Sequence, residues 1–166
     1  MKPLVAIFLL ILLPHISTLS QVPTQSGGKF SAAGLDNDRE VEQFFISFKG
    51  AVAKNDRKKV ASLIDFPIEF FLASGSKVKI KNEADFLGKY DQIFDETFKQ
   101  VILQTKVKDL WARDQGVAMP SGEIWINKIS KDVKRPEKYT LKITTINGPF
   151  RPHKSPKSKQ EKSSPR

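Results

Sequence analysis

Residues 82–127 read NEADFLGKYDQIFDETFKQVILQTKVKDLWARDQGVAMPSGEIWIN, and the spacing of their apolar side chains changes once, at Gln104. Before it, Phe86, Leu87, Tyr90, Ile93, Phe94, Phe98, Val101 and Ile102 recur at steps of three and four, the period of one helix face. Asn82 is placed to cap that helix, and Glu83 and Asp85 put carboxylates at its positive end. The pattern predicts one long helix of about five turns. After Gln104 the period is two. Lys106 to Arg113, Gly116 to Met119 and Gly122 to Asn127 read as strands, parted by turn-forming Asp114-Gln115 and Pro120-Ser121.

Upstream, Val41, Phe44, Phe45, Phe48, Ala51 and Val52 form the apolar stripe of a helix from Asp38 to Lys54. Asp56 offers an N-cap for a short second helix whose inner residues are Val60, Ala61, Leu63 and Ile64. Pro67 ends helical structure and favours an extended Phe66. Phe66 to Leu72 is aromatic and β-branched, Ser74-Gly75-Ser76 is a turn, and Lys77 to Lys81 alternates as a half-exposed strand. Downstream, residues 128–138 read as a charged loop, and Tyr139 to Ile146 as a last strand stopped by Asn147-Gly148-Pro149. Helices followed by an antiparallel meander give an α+β class, with the helices packed on one face of a curved antiparallel sheet.

The two ends differ from this body. Lys2, the apolar run Leu4 to Leu13, then Pro14 and the small residues Thr18 and Ser20, follow the layout of a secretory signal peptide over residues 1–20. The run is short of the roughly 20 residues that cross a bilayer core of about 30 Å. A retained anchor extended through Leu19 is the alternative. Export to the periplasm or the extracellular space is therefore expected. Residues 21–37, rich in Gly, Ser, Thr and Gln, are expected to be an unstructured linker, with one domain over 38–149. Residues 150–166 form a Lys-, Ser- and Pro-rich tail that cannot bury enough surface to order itself.

That tail holds Arg151, Lys154, Lys157, Lys159, Lys162 and Arg166 against Glu161, half of the net charge of +10. Basicity is thus mostly a tail property. It suits contact with an anionic lipid or polymer, at about 1 kcal/mol per basic residue near an anionic membrane. With no aromatic side chain in the tail beyond Phe150, specific nucleic-acid binding is not expected. The chain has no cysteine, which excludes a disulfide scaffold, a thiolate nucleophile and Cys–zinc sites. Both histidines, His15 and His153, lie at the ends, so no imidazole base or ligand serves the domain. Neither a calcium loop nor a phosphate-cradling glycine motif is present, and no cofactor is expected.

The element order, together with Phe44-x3-Phe48, NDRKKVASLIDFPI (Asn55 to Ile68), YDQIF (Tyr90 to Phe94) and GEIWI (Gly122 to Ile126), resembles small exported bacterial members of the nuclear transport factor 2-like superfamily. The resemblance covers residues 38–147. It implies a cone-like roll with a pocket at its open end, and a homodimer paired through the sheet as one option. Members serve as isomerases, dehydratases, immunity proteins and passive binding or assembly modules, so fold alone selects no function.

Several residues carry candidate chemistry. Tyr90 lies on a buried stripe, so its hydroxyl needs a partner or a pocket. Asp91 and Asp95, one turn apart, read as a solvated face. Glu123 and Trp125 alternate with Ile124 and Ile126, and Trp111 and Arg113 also share a strand side. On a concave face, a carboxylate beside an indole would hold a cationic or sugar-like ligand. Asp65 and Glu69, with Tyr90 as the only oxyanion donor in view, make a weak acid–base alternative. The expected function is a non-enzymatic domain of the bacterial envelope. It would bind a small molecule or a protein partner through Tyr90, Trp111, Arg113, Glu123 and Trp125. A carboxylate–tyrosine enzyme and an inhibitor or immunity-type partner are the alternatives.

Overall fold

The computed structural model describes residues 27–71 and 77–148. Both the signal-like segment and the basic tail lie outside these residues, as does the turn expected at Ser74–Ser76. The fold is α+β, with elements α1 (Asp38–Ala53), α2 (Arg57–Ser62), β1 (Ile68–Phe71), β2 (Lys77–Ile80), α3 (Glu83–Ile93), α4 (Glu96–Gln104), β3 (Trp111–Arg113), β4 (Gly116–Ala118), β5 (Ile124–Ile129) and β6 (Thr140–Ile146). The last four strands form an antiparallel meander, and β1 and β2 pair as an antiparallel two-stranded sheet. A bridge from Ile64 to Ile143 holds the chain after α2 against the outer edge of β6, and β1 packs beside β6.

Side-chain caps set the helix starts. Asn37, Asp56, Asn82 and Asp95 accept from the backbone N–H groups of Glu40, Lys59, Asp85 and Phe98. The last of these splits the single long helix expected from the sequence. Phe94 leaves helical geometry (ψ 65°), and the Asp95 carboxylate, 2.8 Å from the Phe98 nitrogen, starts α4. Asp95 is thus a cap, not part of a solvated face, whereas Asp91 is exposed and pairs with Arg57 at 3.0 Å. Replacing Asp95 with alanine should cost about 1 kcal/mol in urea-induced unfolding. A cost near zero would mean that packing alone enforces the break.

One core joins helices and sheet. Phe45, Phe48 and Val52 of α1 and Phe86, Tyr90 and Ile93 of α3 meet Val117, Ile124, Ile126, Ile143 and Ile146, all buried. Aromatic rings at four-residue steps continue through the helix break. Tyr90 stacks on Phe94 (5.2 Å, 16°) and Phe94 on Phe98 (5.4 Å, 19°), while Phe86 meets Tyr90 edge-on at 5.7 Å.

The structured region begins earlier than expected. Within the expected linker 21–37, Phe30 and Leu35 are fully buried, and a 3-10 turn spans Ser31–Ala33. The Asp38 carboxylate accepts from the N–H groups of Lys29 (2.8 Å) and Phe30 (3.1 Å), and the Lys29 ammonium donates to the carbonyls of Val107 and Lys108. Polar composition concealed two apolar anchors. The strand expected from Lys106 is likewise shortened: Val107–Asp109 forms a 3-10 turn, and β3 starts at Trp111.

Candidate functional site

The meander buries one face and leaves the other to solvent, and a single row of residues crosses the outer face. Trp111 on β3 pairs with Ala118 on β4, Ala118 with Trp125 on β5, and Trp125 with Thr145 on β6. Residues directly opposed in adjacent strands point the same way. Their neighbours Ile124 and Ile126 point into the core, so Trp125 faces outward. Ala118 is small and fully covered, and the two indoles close over it edge to face at 5.2 Å and 82°. Both remain partly exposed. The Trp111 indole N–H is anchored to the Met119 carbonyl at 3.0 Å, and the Arg113 guanidinium lies 4.7 Å from the Trp111 ring centre. The result is an aromatic platform with a cation on it.

Gly122 lets the β4–β5 turn pass beneath this platform. Its φ of +76° disfavours a side chain, and a Cβ there would meet the Trp125 indole nitrogen at 3.4 Å. Glu123 does not join the platform. It precedes β5 and is buried, and its carboxylate accepts from the Ser121 N–H at 3.0 Å, holding the turn. The expected carboxylate–indole pair is therefore replaced by a guanidinium–indole pair.

Beyond the row, the pairing of β5 with β6 slips. Trp125 pairs with Thr145 but Ile126 with Ile143, leaving Thr144 as an extra residue. Such bulges re-aim side chains. Thr144 here accepts from the Asn127 amide at 2.8 Å. Next to it opens a cleft of about 300 Å³ between the β1–β2 pair and the end of β6. Thr144, Thr145, Asn147, Glu69, Lys77 and Lys79 line it, over Pro67 and Ile68. Thr145 belongs to both the cleft and the tryptophan row.

The acid–base candidates are not brought into one apolar site. Glu69 is exposed and ion-paired with Lys77. Asp65 is half-buried at the edge of β6, its backbone N–H donating to the Ile143 carbonyl. Tyr90 lies on α3 in the aromatic core with no hydrogen-bond partner for its hydroxyl, and burial pushes its phenol pKa up, partly opposed by the nearby Arg57. Its ring sits among cations, with Arg57 at 5.1 Å and Lys99 at 5.6 Å. Among the described residues no group of three or more His, Cys, Asp or Glu could hold a metal ion, and no helix is long and apolar enough to cross a membrane.

No protein-family model, curated protein or solved structure matches the chain. Function is therefore read from the site itself. Trp111, Arg113 and Trp125 are candidates on sequence grounds, whereas Thr144, Thr145, Asn147, Lys77 and Lys79 join the site only in the structure. The bulge that gathers the threonines depends on strand register, which no local pattern reveals.

Proposed function

We propose that the domain is an exported, non-enzymatic binding module of the bacterial envelope, with a roll of the nuclear transport factor 2-like type, and that it engages its partner through the outer face of the sheet. The four-stranded meander β3-β4-β5-β6, with the separate β1–β2 pair packed beside β6, supports such a roll. The observation that carries the binding assignment is the pair of partly exposed indoles crossing edge to face, with Arg113 on one of them, on the solvent side of the sheet. Two large aromatic rings left partly in water retain apolar surface that a partner would cover, and tryptophan and arginine dominate binding hot spots. The acid–base alternative lacks support, because Glu69 is tied to Lys77 and the Tyr90 hydroxyl is sealed in the core.

Both tryptophans of the chain lie in this indole pair, so tryptophan emission excited at a wavelength that tyrosine does not absorb reports on it alone. With the solubilised envelope fraction of the host as probe, wild-type protein should retain material and show protection of both indoles from acrylamide quenching. Trp125→Ala should weaken retention by about 30-fold, the equivalent of roughly 2 kcal/mol, under conditions where circular dichroism shows the variant still folded. Equal retention by wild type and variant would overturn the assignment, as would turnover of a substrate that survives the substitution.

A further inference from the structure

We infer that the open edge of β2 takes an extended acidic segment of a partner protein as an added strand, at a place separate from the indole pair. The outermost strands are not equally accompanied. The 3-10 turn Ser31–Ala33 packs against β3, and β6 is met by the bridge from Ile64 to Ile143 and by β1. β2 pairs with β1 alone, and among the described residues no backbone bond reaches the other side of Val78, Lys79 and Ile80. In a strand paired on one side, alternate residues direct their N–H and C=O groups away from the partner, a template for a further strand. The open stretch ends at Lys81, whose N–H donates to the Asp85 carboxylate at 3.1 Å.

Alternation gives this edge two unlike sides. Lys77 and Lys79 line the cleft beside β6, and Lys81, also exposed, continues their row. Val78 lies on the opposite side, partly buried against the core, where Ile80 is fully buried. The strand itself carries no carboxylate. Glu69, on β1, is ion-paired with Lys77, and Glu83 and Asp85 lie past the end of β2 in the first turn of α3. A second copy pairing antiparallel along this edge would set lysine against lysine, which destabilises a ladder, and edge lysines guard against such self-pairing. The same row favours a strand whose side chains on the cleft side are glutamate or aspartate. On the other side, an apolar residue would pack beside Val78. A segment alternating acidic and apolar residues satisfies both sides, with main-chain bonds supplying affinity and alternate side chains supplying selection.

The test is an anisotropy titration of a dye-labelled, capped peptide of alternating glutamate and valine with the full chain. The comparisons are the same peptide methylated on its backbone nitrogens and a peptide of alternating lysine and valine. The glutamate peptide should bind saturably. The methylated form should bind at least about tenfold more weakly, since it cannot donate to the strand edge. The lysine peptide should not bind. Lys79→Glu should weaken the glutamate peptide about tenfold, because an attraction becomes a repulsion, and should gain affinity for the lysine peptide. Trp125→Ala should leave glutamate-peptide binding unchanged, so loss of the indole surface and loss of the β2 edge are read separately. The inference is overturned if the glutamate peptide does not bind, or if its methylated form binds equally well, which reduces the contact to charge alone. It is also overturned if amide exchange finds every N–H from Val78 to Ile80 already protected in the free chain, which would place a second copy or another part of the chain on the edge.

Discussion

Phe94→Ala should destabilise the domain by about 3–5 kcal/mol, the range for truncating a fully buried aromatic side chain. Phe94 is fully buried at the break between α3 and α4 and touches four other rings: Phe48 (6.2 Å), Phe86 (5.9 Å), Tyr90 (5.2 Å) and Phe98 (5.4 Å). Its removal opens a cavity where α1, α3 and α4 meet, and rings locked by their neighbours refill such a space poorly. Against a total stability of about 5–15 kcal/mol, the loss should be plain in urea unfolding followed by circular dichroism. A cost below about 1.5 kcal/mol would show that the aromatic column is loosely packed.

Tyr90→Phe should act the other way, raising stability by about 1–3 kcal/mol through removal of a buried hydroxyl that has no partner. The ring keeps its stacking on Phe94 and its contacts with Arg57 and Lys99, so little else is lost. The same residue gives the domain a pH dependence of known sign. Burial raises the phenol pKa, so the folded chain holds this proton more tightly than the unfolded chain, whose tyrosines titrate near about 10. The stability this contributes is complete below about pH 10 and is lost as pH rises through the folded value. Tyr139 adds a component of the same sign, because its hydroxyl donates to Glu40 at 2.9 Å and that bond raises its pKa. The contribution of Tyr90 is therefore the difference between wild type and Tyr90→Phe, which should widen in favour of the variant above about pH 10. A variant less stable than wild type would mean that the hydroxyl has a partner in solution.

The elements were legible in the sequence where one period persisted. The stripe of α1, the caps Asp56 and Asn82, and the alternation in β5 and β6 all lie where the patterning puts them. The split after Ile93 was hidden because Phe86, Tyr90, Phe94 and Phe98 keep a four-residue step across a break made by one carboxylate. Phe30 and Leu35 were hidden for the opposite reason, being two isolated apolar residues in a polar segment, anchored by a carboxylate eight and nine residues away from the N–H groups it receives. At the site, alternation correctly put Trp111 and Arg113 on one side. It could not show that Glu123 folds back to hold a turn, nor that a slipped register sets Thr144 beside a cleft built partly from β1 and β2. Those facts depend on pairings between distant segments.

The most direct test of the outer face as the working surface is amide hydrogen exchange on the protein alone and saturated with its partner from the envelope fraction. Slowed exchange is expected in Trp111–Arg113, Ile124–Asn127 and Thr144–Asn147, with α3 and α4 unchanged. Protection centred instead on residues 86–98 would place the partner against the aromatic interior around Tyr90 and contradict binding through the outer face.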